Sequence, residues 1–70
     1  MSQFESVIQL DQFMKITGMV NTGGQAKLVI QDGEVQLNGV VETRRKKKLK
    51  HGDKITYNDQ TLMVEFEDGE

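Results

Sequence analysis

Nothing in this 70-residue chain can staple it together: it has no cysteine, and its one histidine, His51, leaves no pair for a metal site. The fold must therefore hold on apolar packing alone. A chain of this size buries only about 60% of the surface it exposes when unfolded. One domain covering residues 1–70 is expected, with modest stability. The lack of cysteine fits a reducing compartment. The start, Met1-Ser2-Gln3-Phe4-Glu5, lacks the basic-then-apolar layout of an export signal. No stretch is apolar for long enough to span a bilayer. A cytoplasmic protein without a membrane partner is the expectation.

The apolar periodicity predicts two short helices followed by strands. Phe4 to Ile8 reads as a short strand. Asp11 is placed to cap a helix through about Thr17, with Leu10, Phe13 and Met14 on one face and Lys15 turned to solvent. Gly18 suits the left-handed position that ends a helix. Thr22 followed by Gln25 has the spacing of a capping box. Ala26, Val29 and Ile30 then recur at helical spacing up to Gly33, giving a helix over about 23–32. Asn38-Gly39, between Glu34–Leu37 and Val40–Thr43, is a strong hairpin signal, because both turn residues must take positive φ. It pairs Leu37 with Val40 and sets Val35, Leu37 and Val40 on one face, the expected core side. His51-Gly52-Asp53 turns the chain. Ile55 and Tyr57 alternate in one strand, and Asn58-Asp59-Gln60 forms a further turn. Leu62, Val64 and Phe66 alternate in the last strand, with Met63 and Glu65 facing away. The expected fold class is α+β: two short helices packed on a small, mostly antiparallel sheet.

Charge is segregated along the chain. Residues 44 to 50 read Arg-Arg-Lys-Lys-Lys-Leu-Lys, six cations in seven positions. Only Lys15, Lys27 and Lys54 lie outside that window, against eleven acids in the whole chain. The net charge of -2 hides this local positive field. Lysine and arginine release counterions when they neutralise phosphates, and arginine adds forked contacts. On the residues alone, nucleic-acid binding, a solvated loop and a nuclear-import signal all remain open.

Four segments together carry a family resemblance. They are Leu10-Asp11-Gln12-Phe13, Gln25-Ala26-Lys27-Leu28-Val29-Ile30, Gly33-Glu34-Val35-Gln36-Leu37-Asn38-Gly39, and Gly52-Asp53-Lys54-Ile55. In order and spacing they resemble the RNA-binding domain first seen in the fourth protein of the small ribosomal subunit, the alpha-L motif. The resemblance covers about residues 8–57. Gly24-Gln25-Ala26-Lys27 and Val41-Glu42-Thr43-Arg44-Arg45 are most similar to the stand-alone bacterial members often labelled YbcJ-like. The resemblance implies the alpha-L motif fold and binding of structured RNA, ribosomal or transfer RNA, with ribosomal particles as a further partner. It implies a surface made by the start of the second helix and the loop after the hairpin. Many members carry a serine–arginine pair where this chain has Gly23-Gly24, so an arginine contact from that turn is not carried over.

The candidate RNA-binding residues are therefore Thr22, Gly23, Gly24, Gln25 and Lys27 at the helix start, and Arg44, Arg45, Lys46, Lys47, Lys48 and Lys50 in the basic run. The Thr22–Gln25 turn also works simply as a cap, although two successive glycines exceed what capping needs. An open helix start can hold a phosphate through backbone N–H groups and the helix dipole. Phe4, Phe13, Tyr57 and Phe66 fit the apolar periodicity and are expected in the core. That argues against a base-stacking platform and for recognition of RNA shape and backbone. One histidine, no cysteine and scattered carboxylates offer no nucleophile–base pair, so no catalysis, cofactor, metal or small-molecule substrate is expected. The competing reading is a protein-interaction module whose basic loop docks on an acidic partner, helped by Val41 and Met63. A ubiquitin-like sulfur carrier would need a terminal Gly-Gly, where this sequence reads Asp68-Gly69-Glu70.

Overall fold

The structure, a computed structural model, describes residues 8–65. Phe4 and Phe66 lie outside them. Eight elements follow in order: β1 (Ile8–Gln9), α1 (Leu10–Ile16), α2 (Gly23–Gln31), β2 (Val35–Leu37), β3 (Val40–Val41), β4 (Lys48–Leu49), β5 (Lys54–Tyr57) and β6 (Gln60–Met63). All strand pairing is antiparallel. It forms two sheets rather than the single expected one: a four-stranded sheet in the order β3-β2-β5-β6 and a two-stranded ladder joining β1 to β4.

Helix α2 forms where its sequence signals lie. The Thr22 side chain accepts a hydrogen bond from the Gln25 N–H at 3.1 Å, and Gln25 reaches back to the Asn21 N–H at 2.9 Å. The helix ends in a Schellman arrangement: Gly33 N–H donates to the Ile30 carbonyl and Glu34 N–H to the Val29 carbonyl. Gly33 holds φ at 81°, a left-handed value. Gly33→Ala is expected to cost about 1 kcal/mol from that backbone alone, because a Cβ there would meet only Val41 Cγ1 at 3.7 Å. A denaturation midpoint equal to that of the unsubstituted protein would contradict this.

Helix α1 starts differently from the sequence expectation. Gln9, not Asp11, is its N-cap, and Asp11 lies in the first turn. The reason is tertiary. Two N–H groups at the helix start, which no helical carbonyl can reach, donate to the loop before β4: Leu10 to the Lys47 carbonyl at 2.9 Å and Asp11 to the Arg45 carbonyl at 3.0 Å. Gln12 completes the start by accepting the Gln9 N–H.

Both hairpins turn on two residues with positive φ, Asn38-Gly39 and Asn58-Asp59. Gln60 belongs to β6, paired with Tyr57, rather than to the turn. The inner sheet face presents Val35 and Ile55, both fully buried, to Leu10, Phe13, Met14, Ala26, Val29 and Ile30 of the helices. Leu37, Tyr57 and Leu62 pack at the margin of this core, and Val64 closes it. Val40 departs from its expected burial and is 68% exposed. It sits beside the turn on an edge strand, with a neighbouring strand on one side only.

Candidate RNA-binding surface

The basic run is a tethered shelf rather than a free loop. Its one apolar residue, Leu49, is 1% exposed and belongs to the core. Lys48 and Leu49 pair with Gln9 and Ile8. The Arg45 and Lys47 carbonyls hold the start of α1. At the far end, the Lys50 N–H donates to an Asp53 carboxylate oxygen at 2.9 Å, and the Asp53 N–H returns a bond to the Lys50 carbonyl. These backbone bonds hold the segment at both ends. Of the six cations, Arg44, Lys46, Lys48 and Lys50 are exposed, and Arg45 and Lys47 are half-buried.

Arg44 is partly engaged. Its Nε donates to Glu42 at 2.8 Å, its Nη2 to the other carboxylate oxygen at 3.4 Å, and its backbone N–H also donates to Glu42. The Arg44 side-chain bond holds the Glu42 carboxyl below its ordinary 4.5, against an opposing effect of burial. The Arg44 side chain remains 71% exposed, so the outer part of its fork is accessible.

At the start of α2, Gly24 and Gln25 are exposed and Gly23 is half-buried. The Gly23 and Gly24 N–H groups precede any helical carbonyl acceptor. A Cβ on Gly23 would meet nothing within 4 Å, and one on Gly24 only Thr22 Oγ1 at 3.9 Å. Packing therefore requires neither glycine. Lys27 is exposed one turn on. The two candidate regions meet different parts of α1: the basic run is tied to its start, and the Thr22 cap follows its end. Helix α1 has 7 residues, so it is about 10 Å long.

Sequence reasoning missed three contributors. Leu49 had only the signal of a lone apolar residue among lysines. Asn38 carries only a turn signal in the sequence, yet its side chain donates to Asp53 at 3.1 Å and accepts the Lys54 N–H at 2.9 Å. Asp53 thereby joins the hairpin to the end of the basic run. Burial raises the Asp53 pKa, but the Lys50 N–H, the Asn38 amide and the nearby charges of Lys50 and Lys47 outweigh it, leaving the value below 3.8. With the folded pKa depressed, this tether is intact above pH 4 and is lost as pH falls through the lower folded value. An NMR titration of the Asp53 carboxyl is expected to show a midpoint under 3.8; a midpoint above it would mean that the carboxylate does not hold the end of the run.

Among the described residues, no group of three or more His, Cys, Asp or Glu is placed to hold a metal ion. No described helix is long and apolar enough to cross a membrane.

Residues 2–65 match the family described as the S4 domain. YbcJ of Escherichia coli (strain K12), whose name ties it to RNA binding, is 32% identical over 57 residues, covering 81% of each chain. RlbA of Bacillus subtilis (strain 168), whose name ties it to ribosome maturation, is 37% identical over 49 residues, covering 70% of this chain and 69% of that one. The solution structure of E. coli YbcJ, described as revealing an alpha-L motif involved in RNA-binding, superimposes with a TM-score of 0.66 at 29% identity. That superposition covers 94% of this chain and 82% of the other.

Proposed function

Because the chain belongs to the S4 domain family, we propose that it is an RNA-binding protein that grips structured RNA, of ribosomal or transfer type, through the basic run and the start of α2. The observation that carries this reading is the tethered run. Its backbone is anchored by α1, β1 and Asp53, while Arg44, Lys46, Lys48 and Lys50 face solvent. Cations held in place lose less freedom on meeting phosphates than cations on a loose tail. The names of the relatives support RNA as the partner, and that of RlbA supports ribosomal RNA or ribosomal particles.

The roles divide by chemistry. Arg45, Lys46, Lys47, Lys48, Lys50 and the outer fork of Arg44 neutralise phosphates. The Gly23 and Gly24 N–H groups, with Lys27 one turn on, take a further phosphate at the helix start. Thr22 and Gln25 hold that start open by capping it. An RNA touching both regions lies along α1. The role is binding in the cytoplasm of a bacterium, with no reaction catalysed by this chain and the whole chain acting as one domain.

The protein-interaction alternative gains little. Val41 and Met63 are exposed, but they sit on the opposite edge strands β3 and β6. Gln36, Thr56 and Lys54 lie between them in the ladder, so they form no continuous apolar patch.

Binding to a structured RNA fragment is expected to weaken steeply with salt. If about four to six cations meet phosphates, log affinity should fall against log salt with a slope of roughly -3 to -5. A complex insensitive to salt would refute the role given to the basic run.

A further inference from the structure

Between the tip of the first hairpin and the basic run lies a cleft of about 310 Å³, and its walls are chemically mixed. Leu37, half-buried, supplies apolar surface beside the buried Leu49, Lys47, Lys48 and Lys50 supply positive charge, and Asn38 and Asp53 supply hydrogen-bonding groups. Resting on the RNA-binding reading above, we propose that this cleft receives one unpaired nucleotide of the bound RNA. Its phosphate lies on the lysines, its base lies against Leu37, and its base edge donates to the Asp53 carboxylate.

Asp53 decides the kind of ligand. A carboxylate among three lysines weakens a surface built only to hold duplex phosphates, because like charge repels phosphate, and its tether to Lys50 and Asn38 does not use all of its acceptor capacity. Asp53 is nonetheless fixed there, half-buried, and accepts the Asn38 side-chain amide on one oxygen and the Lys50 N–H on the other. An ionised carboxylate offers about four acceptor positions, so roughly two remain for a ligand. Ligand N–H groups are the complement. A nucleobase has an apolar face, an edge bearing N–H donors and an attached phosphate, which matches the three kinds of wall in turn. Paired bases have their Watson–Crick donors occupied, whereas an unstacked base presents that edge freely. Guanine, with two adjacent N–H donors on its Watson–Crick edge, is the best match to a carboxylate. Uracil offers one N–H between two carbonyls and is the poorest fit among bases with an N–H there.

The test uses the full chain and three RNA hairpins of equal stem length: one fully paired, one with a single bulged guanosine and one with a single bulged uridine. The bulged-guanosine RNA is expected to bind about tenfold or more tighter than the paired RNA, and tighter than the bulged-uridine RNA. Asp53→Asn gives opposite signs for the two explanations. Removing a negative charge should tighten all three complexes if only phosphates are held. If the carboxylate reads a base, the guanosine preference collapses instead. The asparagine carbonyl can still accept the Lys50 N–H, the Asn38 amide loses its acceptor on the other oxygen, and the amide spectrum of the variant checks that the fold and the Lys50 tether survive. The Leu37 methyl resonances of the unsubstituted protein give a second measure: they are expected to shift with the bulged-guanosine RNA and not with the paired one.

Equal, salt-sensitive binding of all three RNAs would overturn the cleft and leave the basic-run reading standing. So would a guanosine preference that survives in Asp53→Asn, or Leu37 methyls that ignore the bulge. Binding to none of the RNAs, or binding indifferent to salt, would overturn both.

Discussion

Replacing Arg44, Arg45 and Lys46 together with glutamate is expected to weaken binding to structured RNA by more than about a hundredfold at moderate salt, with the fold retained. The substitutions change three cations to three anions, so phosphates meet repulsion where they met attraction. The fold is retained because this stretch serves it through its backbone. The Arg45 carbonyl holds the Asp11 N–H, the Lys47 carbonyl holds the Leu10 N–H, and the core contact belongs to Leu49. None of these is a substituted side chain. Glu42 loses its Arg44 partner, but the pair is exposed on the arginine side and solvent screens it. Gln60→Glu, exposed on β6 and outside both candidate regions, serves as the control and should change affinity only several-fold. Filter binding or fluorescence anisotropy against one RNA, with a thermal melt of each variant, checks both halves. Undiminished affinity in the triple variant would place the RNA on another face.

The elements that could be read from the sequence are those specified by neighbours in the chain. Thr22, Gln25 and Gly33 bracket α2 within a dozen residues, and Ala26, Val29 and Ile30 fall at helical spacing, so its bounds came out within a residue. Asn38-Gly39 fixed the pairing of Leu37 with Val40. What escaped depends on contacts between distant segments. Gln9 is a weaker capping residue than Asp11 on intrinsic grounds, and beside the local Gln12 contact it is the Arg45 and Lys47 carbonyls, more than thirty positions on, that fix where α1 begins. The β1–β4 ladder has two residues a side, one of them a lysine in the basic run, and so short a pairing has no periodicity to detect. The same holds for the surface. The charge of residues 44–50 was plain, but the Asn38–Asp53–Lys50 linkage that holds the far end of the run joins a turn, a loop and a strand end. The family resemblance supplied the partner class, which spacing and charge had left open.

Leu49→Ala tests whether that anchoring matters. Leu49 is among the largest fully buried side chains, and truncating such a leucine costs about 2–5 kcal/mol. A chain of this size has roughly 4–10 kcal/mol of stability in total, so the melting temperature should fall by at least about 10 °C. Leu28→Ala, at a leucine that is 65% exposed, should move it little. The more telling measurement is RNA affinity at a temperature where Leu49→Ala is still folded. Every cation is present in this variant, so net charge predicts no change. Loss of the only core side chain between Arg44 and Lys50 instead frees the β1–β4 ladder to open, and the lysines on either side must be reordered when phosphate arrives. Affinity should therefore fall while the salt slope stays nearly constant, because the number of phosphates neutralised is unchanged. A folded Leu49→Ala that binds RNA as tightly as the parent would mean that the run needs its charge alone and not its seat in the core.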